Sequence, residues 1–383
     1  VHIEKIYLRH FRNYTQTVVP FHSTTNCIIG DNGSGKSSIL EALYFLNTGK
    51  SFRTHRLLDL IQHNESEFHL HAIWVREDVP HELQLSFKRG ERQLLYNQAR
   101  HVSFLPLIGL IPFVLLSPED TAILTGPPAE RRRFLDIYLS QSDPHYLYHL
   151  GRYQKALQQR NTLLRLQEER GLAPWEELME TSAHYLISKR KEVLTLLEPH
   201  CREIMQDLSL GQEQLSLRYT STLPPSGKWA LAWREMRKKE IEIGSTLIGP
   251  HRDDLIFILG DKNLSTYGSE GQKRCSLVAM RLAQWRILRD CLGYAPIFGI
   301  DDFGAHMDPK RTALLEKLLI PMGQIFLTAP TPSKQLFTTS FCLQAEQGTI
   351  HPAPLKHGEN KPDLKESSSP PLPSSLSFLQ KVP

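Results

Sequence analysis

The chain has 383 residues, enough for two or three domain-sized units, and 40% of them are hydrophobic, enough for a globular core. A formal net charge of +4 permits nucleic-acid binding without arguing for it, since the total says little about local patches. Five scattered cysteines without a C-x-x-C pair argue against a zinc or disulfide framework, and no apolar run approaches a membrane span, so no membrane contact is expected.

The stretch from His2 to about Leu116 reads as strand-rich with one helix. Asn26–Ile29 is a short buried strand. Ser38–Leu46 carries apolar residues at helical spacing. Between them, Gly30-Asp31-Asn32-Gly33-Ser34-Gly35-Lys36-Ser37 fits G-x-x-x-x-G-K-[ST], the phosphate-binding P-loop, in the strand–turn–helix context it needs. Glycines let the backbone wrap a phosphate with inward N–H groups, and the helix N-terminus adds partial positive charge. Gly30 to Ser38 are therefore candidate ATP contacts. Lys36 would reach the β- and γ-phosphates, and the Ser37 hydroxyl would ligate Mg²⁺. Phe68–Val75 and Glu82–Phe87 alternate as half-buried antiparallel strands do, and Pro112–Leu116 is a further strand.

From about Thr121 to Glu240 a helical lobe is expected. Gly126-Pro127-Pro128 starts one helix, a second runs from about Tyr146 to Arg170 and is stopped by Gly171, and a third runs from about Trp175 to Met205. No heptad pattern persists, so the lobe is compact and not a long coiled coil. From about Ile241 the α/β character returns. Strands are expected at Leu255–Leu259, Ala295–Ile300 and Gln324–Thr328, and helices at Gly271–Asp290 and Pro309–Leu319. Beyond about Gly348 the chain turns to Pro, Ser and Lys and reads as a disordered tail. The expected organisation is thus 1–120 and 241–347 as two parts of one α/β head, 121–240 as the helical lobe, and 348–383 as tail.

Pro296–Asp302 is an apolar strand ending in two carboxylates, the Walker B pattern. Asp301 would hold Mg²⁺, and Asp302 would polarise the attacking water. Tyr267–Gln272 looks like an ABC-type signature, with Ser269 as N-cap and Gly271 and Gln272 in the first turn of a helix. In ABC ATPases this turn faces the P-loop of a second molecule, which implies an ATP-dependent homodimer. Asp308 is the retained acidic residue of the D-loop.

Three further blocks make the resemblance specific: Leu8-Arg9-His10-Phe11-Arg12-Asn13-Tyr14, then Ser117–Asp120 with Gly126–Asp136, and Gly249–Leu255. Together with the nucleotide motifs, they resemble the RecF family of bacterial recombination mediators over about residues 2 to 330. The resemblance implies an α/β ABC-type ATPase head with an antiparallel β subdomain and an inserted α-helical lobe. It implies weak DNA-stimulated ATP hydrolysis and binding to gapped DNA or single-strand/double-strand junctions. It also implies work with RecR and RecO in loading RecA, support of the SOS response, and a cytoplasmic location. Ala305 and His306 depart from the family's D-loop, which puts the hydrolysis rate in doubt and leaves open a scaffold with little turnover. A nuclease-linked ATPase would need a second carboxylate cluster. A transporter subunit would carry Ser-Gly-Gly-Gln and a switch histidine where Ser269-Glu270 and Thr328 stand.

Candidate DNA-phosphate contacts are Arg9, Arg12, Arg131, Arg132, Arg133, Arg152, Lys155 and Arg160, with Arg165, Lys238 and Lys239 as further basic positions. The arginine triplet suits an intramolecular role equally well. No recognition-helix motif is visible, so structure-selective binding is expected before base readout.

Overall fold

The computed structural model describes residues 1–224, 227, 229–304, 308–331 and 340–353. In chain order the first part contains β1 (His2–Phe11), β2 (Tyr14–Pro20), β3 (Thr25–Ile29), α1 (Lys36–Thr48), β4 (Glu67–Arg76), β5 (Val79–Lys88), β6 (Glu91–Tyr96), β7 (Ala99–His101) and β8 (Phe113–Leu116). Then follow α2 (Thr121–Thr125), α3 (Pro128–Ser142), α4 (Pro144–Arg165), α5 (Leu172–Leu208), β9 (Leu215–Thr220) and α6 (Trp229–Ile243). The last part holds β10 (Asp254–Leu259), β11 (Lys262–Asn263), α7 (Leu264–Tyr267), α8 (Glu270–Leu292), β12 (Ile297–Ile300), α9 (Pro309–Leu319), β13 (Ile325–Ala329), β14 (Phe341–Glu346) and β15 (Thr349–Pro352).

Two six-stranded sheets dominate the head, and a three-stranded sheet of order β11-β10-β9 stands beside them. An antiparallel sheet has the order β2-β1-β4-β5-β6-β7, and β4 buries every second side chain, as its sequence alternation requires. The other sheet has the order β15-β14-β3-β13-β12-β8 and is parallel except at the β14–β15 hairpin. Its central strands are buried on both faces, so they read as continuous apolar runs. Gly299 interrupts the run in β12 for a packing reason: a Cβ there would lie 2.7 Å from the Phe113 ring. Helix α1 is buried at all but one of its positions, and it contributes Ile39, Leu43 and Phe45 to one core with Phe68, Leu70 and Phe113. The second core joins the helical lobe to α8 and to the other side of the parallel sheet.

Three boundaries differ from the expectation. The helix expected to run to Arg170 ends at Arg165, because Gln167 takes the left-handed conformation (φ 58) and the Glu168 N–H turns back to the Leu163 carbonyl. Gly171 (φ 96) instead precedes the first turn of α5. Strand β9 lies inside the stretch read as helical and pairs antiparallel with β10, Leu217 opposite Phe257. Its partner is more than thirty positions away, so local periodicity did not reveal it. Strand β15, Thr349–Pro352, lies within the stretch read as tail and pairs with β14; residues 354–383 of that stretch lie outside the described residues.

The block Gly249–Leu255 is a latch between lobes. Arg131 holds the Asp254 carboxylate (2.6 and 3.1 Å), and Arg132 donates to the Asp253 carbonyl (2.8 Å). Arg190 donates to Asp136 (2.7 Å) and to the Pro250 carbonyl (2.8 Å). His251 Nδ1 lies 2.7 Å from the Tyr153 hydroxyl and Nε2 lies 3.1 Å from the Thr246 carbonyl, a pattern satisfied by a neutral ring protonated on Nε2. Burial, reinforced by the charges of Arg252, Arg132 and Arg160, pushes the His251 pKa down to about 4 from 6.5. Between those values the unfolded chain binds the extra proton and the folded chain does not, so stability falls as pH drops through this window. His251→Gln is expected to shrink the loss of unfolding free energy between pH 7 and pH 5 by about 2 kcal/mol. Denaturant titrations at the two pH values check this, and an unchanged loss would remove His251 as its source.

Candidate functional site

The carboxyl ends of β3, β12, β13 and β8 meet at one edge of the parallel sheet, where an open α/β sheet places ligands. The P-loop leaves β3 there and enters α1. Gly30 (φ 146) and Gly35 (φ 111) hold left-handed backbone that a side chain would strain. Both are also crowded. A Cβ on Gly30 would collide with the Ala345 carbonyl of β14, and one on Gly35 would lie 2.6 Å from Asn13 Nδ2 and 2.8 Å from the Tyr14 hydroxyl. Those two residues clamp the loop: Asn13 Nδ2 donates to the Ser34 carbonyl (3.1 Å) and the Tyr14 hydroxyl to the Gly35 carbonyl (3.2 Å). The N-terminal Leu8–Tyr14 block is therefore a support for the phosphate loop, a role its sequence did not reveal.

No side chain caps α1 and no acidic residue occupies its first turn, so its N-terminal field is left for an anion. Lys36 is nearly buried, and its ammonium donates to the Gly30 and Asp31 carbonyls, both at 2.8 Å, which keeps it inside the loop. Ser34 Oγ, also buried, makes no hydrogen bond among the described residues.

Asp301 follows β12 and faces the loop. Ser37 Oγ donates to its Oδ1 at 2.8 Å, and the Thr328 hydroxyl donates to the same oxygen at 2.6 Å. Thr328 in turn accepts from the Asp302 N–H (2.8 Å), so one threonine ties β13 to both acidic residues. Burial raises the Asp301 pKa, and the Asp302 charge adds to that, against the two hydroxyl hydrogen bonds. A cation beside Ser37 and Asp301 would reverse this, which fits a hydroxyl-and-carboxylate Mg²⁺ pair. Asp302 is held at φ 55, a conformation costly for a residue with a Cβ and one that concentrates at working sites.

Two residues join the site that the sequence did not mark. Glu119, exposed after β8, has its pKa raised chiefly by desolvation among its neighbours and further by the Asp301 charge. Arg53 has the opposite influence on both carboxylates. It also stands 3.8 Å from Glu41, the residue that Arg12 grips at 2.5 and 2.7 Å and Ser51 also bonds.

The signature residues stand apart from this cluster. Ser269 caps α8 in a reciprocal pair with Gln272 (3.2 and 2.8 Å), and Gln272 Nε2 donates to Glu213 (2.8 Å). Glu270 and Tyr267 are exposed. Asp308 caps α9 through the Lys310 and Arg311 N–H groups, and Arg311 packs against Gly271. Signature and D-loop therefore adjoin one another within the chain. Among the described residues, neither bonds to the P-loop. Ala305 and His306 lie outside the described residues.

Residues 2–335 match the family model described as RecF/RecN/SMC N terminal domain. A "DNA replication and repair protein RecF" from Protochlamydia amoebophila is 36% identical over 355 residues, covering 88% of this chain and 99% of that protein. The chain belongs to the RecF family. A second RecF, from Chlamydia caviae, is 34% identical over 90% of this chain and 96% of its own length. Among solved structures, "recombination mediator protein RecF-ATP in RecFOR pathway" superposes with a TM-score of 0.83 at 26% identity, covering 92% of this chain and 98% of that one. An Smc head bound to the C-winged helix domain of ScpA, 17% identical with a TM-score of 0.55, shares the fold. The RecF head is thus α/β with ABC-type architecture, as its motifs imply.

The basic candidates divide. Arg160 is wholly buried, paired with Glu176 at 2.9 Å and Glu240 at 2.7 Å, so in this fold it is withdrawn from the candidate DNA surface. Arg12, Arg131 and Arg132 hold other parts of the chain, as described, and Arg133 donates to the Ser51 carbonyl (3.3 Å). Arg9 and Lys155 are exposed and Arg152 half-buried. No helix among the described residues is long and apolar enough to cross a membrane.

Proposed function

We propose that this chain is an ATP-gated DNA-binding protein of recombinational repair that captures gapped DNA or single-strand/double-strand junctions. The observation that carries the nucleotide part is the Ser37–Asp301 hydrogen bond, which joins P-loop and Walker B residues across 264 positions of sequence. In this reading Gly30 to Ser38 hold the ATP phosphates, Lys36 neutralises their charge, and Ser37 with Asp301 hold Mg²⁺. The bound Mg²⁺ would offset charge on the transferring phosphoryl group. Asp302 orients the attacking water. Ser269 and Asp308 are exposed, and with Gly271 and Gln272 they complete the site of a second copy in this reading, so ATP drives a homodimer. The head is formed by 1–120 and 241–347, with 121–240 as the helical lobe. Arg9, Arg152 and Lys155 are the accessible candidates for sequence-independent phosphate contacts. RecR and RecO are the proposed partners, with RecA loading as the outcome.

Binding to gapped duplex, compared with blunt duplex of equal length, tests this with ATP, with ADP and without nucleotide. Tight binding to the gapped DNA only with ATP is expected. Asp302→Asn is expected to keep that complex and slow turnover by about 10²-fold or more, trapping it. Binding indifferent to nucleotide, or normal turnover in Asp302→Asn, would overturn the gating or the role of Asp302 respectively.

A further inference from the structure

At the opposite end of α1 from the P-loop, about 18 Å along its axis, lies a cavity of about 440 Å³ between the Thr48–Lys50 turn and helices α3, α4 and α5. It has two kinds of wall. Ile108, Ile137, Leu147, Leu150 and Leu157 line it with apolar surface, and Lys50, Arg132, Arg133 and Gln141 line it with donors. Two more lining residues, Asp136 and Arg190, neutralise one another at 2.7 Å, and the Tyr146 hydroxyl also bonds Asp136. The nearby carboxylates are otherwise engaged. Asp254 is held by Arg131, and Asp253 accepts from Tyr219 and Thr222. Arg132 is left with the Asp253 carbonyl, and Arg133 with the Ser51 carbonyl and Glu130 at 4.0 Å. The lining thus carries an excess of at least two positive charges.

Gln141 gives a second, independent sign of a missing partner. It is only 5% exposed, and its Oε1 accepts from Asn47 Nδ2 (3.1 Å) and from the Phe113 N–H (2.9 Å). Among the described residues its Nε2 is buried with no hydrogen-bond partner. A buried amide donor is ordinarily satisfied. One cation carries the same strain: burial first, then Arg190, lowers the Arg132 pKa.

We propose that this cavity binds a phosphomonoester carried on an apolar body of nucleoside size, supplied either as a free nucleoside monophosphate or as the 5′-phosphorylated end of a DNA strand. A phosphomonoester brings close to two negative charges and three acceptor oxygens, which matches two or three cations and an amide donor. A lone carboxylate leaves one cation uncompensated. Inorganic phosphate leaves the apolar wall wet. The cavity falls within the volume range of small-ligand pockets, lined by apolar side chains with a few placed polar groups. It is also connected to the nucleotide site, since Arg133 holds Ser51, whose hydroxyl bonds the Glu41 of α1.

The test uses deoxyadenosine monophosphate, and a ten-nucleotide single strand with a 5′-phosphate or a 5′-hydroxyl, on the full chain carrying Lys36→Met. That background weakens the P-loop as a competing site. Two further variants probe the cavity. Lys50→Glu reverses an exposed charge. Gly151→Phe puts a ring into the space, and a Cβ at Gly151 meets nothing within 4 Å. The monophosphate is expected to bind, and each variant to weaken it at least tenfold. A 5′-phosphorylated strand that binds at least tenfold tighter than its 5′-hydroxyl twin, dependent on Lys50, would identify DNA ends as the source; equal binding of the two strands with tight monophosphate binding would identify the free nucleotide. No monophosphate or 5′-phosphate binding at millimolar concentration would overturn the proposal. So would binding unaffected by both variants, or Lys50-dependent binding of an acidic peptide in place of the monophosphate. ATP-dependent capture of gapped DNA by the Lys36 protein is measured separately, so its failure is distinguishable from failure here.

Discussion

Replacing Lys36 by Met is expected to weaken ATP binding by about 30- to 1,000-fold, the cost of about 2–4 kcal/mol for losing one charge-assisted contact to phosphate in a confined site. The ammonium is nearly buried and held by the Gly30 and Asp31 carbonyls inside the loop, so its charge is delivered where phosphate oxygens would lie. Methionine keeps the unbranched side chain out to Cε and loses the ammonium. The loop's shape should persist, because Asn13 and Tyr14 clamp it from outside and do not depend on the lysine. Titration with a fluorescent ATP analogue reads the affinity, and sedimentation with and without ATP reads dimerisation, which is expected to disappear. A Lys36→Met protein that binds ATP within threefold of the original, or still dimerises with it, would remove the P-loop from the gating step.

Arg160→Met is expected to lower the midpoint of thermal unfolding by about 5–10 °C, the result of losing about 3–5 kcal/mol. Arg160 has no exposed surface and is the shared counter-ion of Glu176 and Glu240, with Thr246 as a further partner at 2.8 Å. Burial alone would raise the Glu176 pKa, and the Arg237 and Arg160 guanidinium groups outweigh it and hold that carboxyl below its usual value. Methionine would leave Glu240 as a buried charge with no cation, while its other oxygen still accepts from the Leu247 N–H. The network joins α4, α5 and α6, so its loss loosens the helical lobe as a unit. A midpoint within about 2 °C of the original would show that the triad contributes little net stability, as replaced buried ion pairs sometimes do.

The two substitutions test sites whose legibility in the sequence differs sharply. The P-loop, the two carboxylates after β12 and the Ser269 cap all read directly, because each is a local geometry. A glycine turn between strand and helix, a strand ending in acidic residues and a side chain capping a first turn need only neighbours a few positions away. The basic positions did not read in the same way. Arg9, Arg131 and Arg160 carry the same charge on paper, with nothing local to separate them. Only the fold makes Arg9 exposed, Arg131 the partner of Asp254 across 123 positions, and Arg160 fully buried.

Strand β9 shows the same limit in the backbone. Its six residues lie between helices, and only their register with β10 makes them a strand. The cavity behind α1 is a further case, since its apolar residues come from loops and three helices and its cations from three segments.

By itself, the sequence determined the fold class, the family and the strand–loop–helix of the P-loop pattern, because each rests on short-range backbone conformation and on residue types at fixed spacing. The tertiary structure alone decided which charges are spent inside the molecule and which face outward, that Asn13 and Tyr14 clamp the loop, and that Thr328 ties both acidic residues together. The physical reason is that an ion pair or a burial depends on which distant segments pack together, and a charged side chain carries no local mark of its eventual partner.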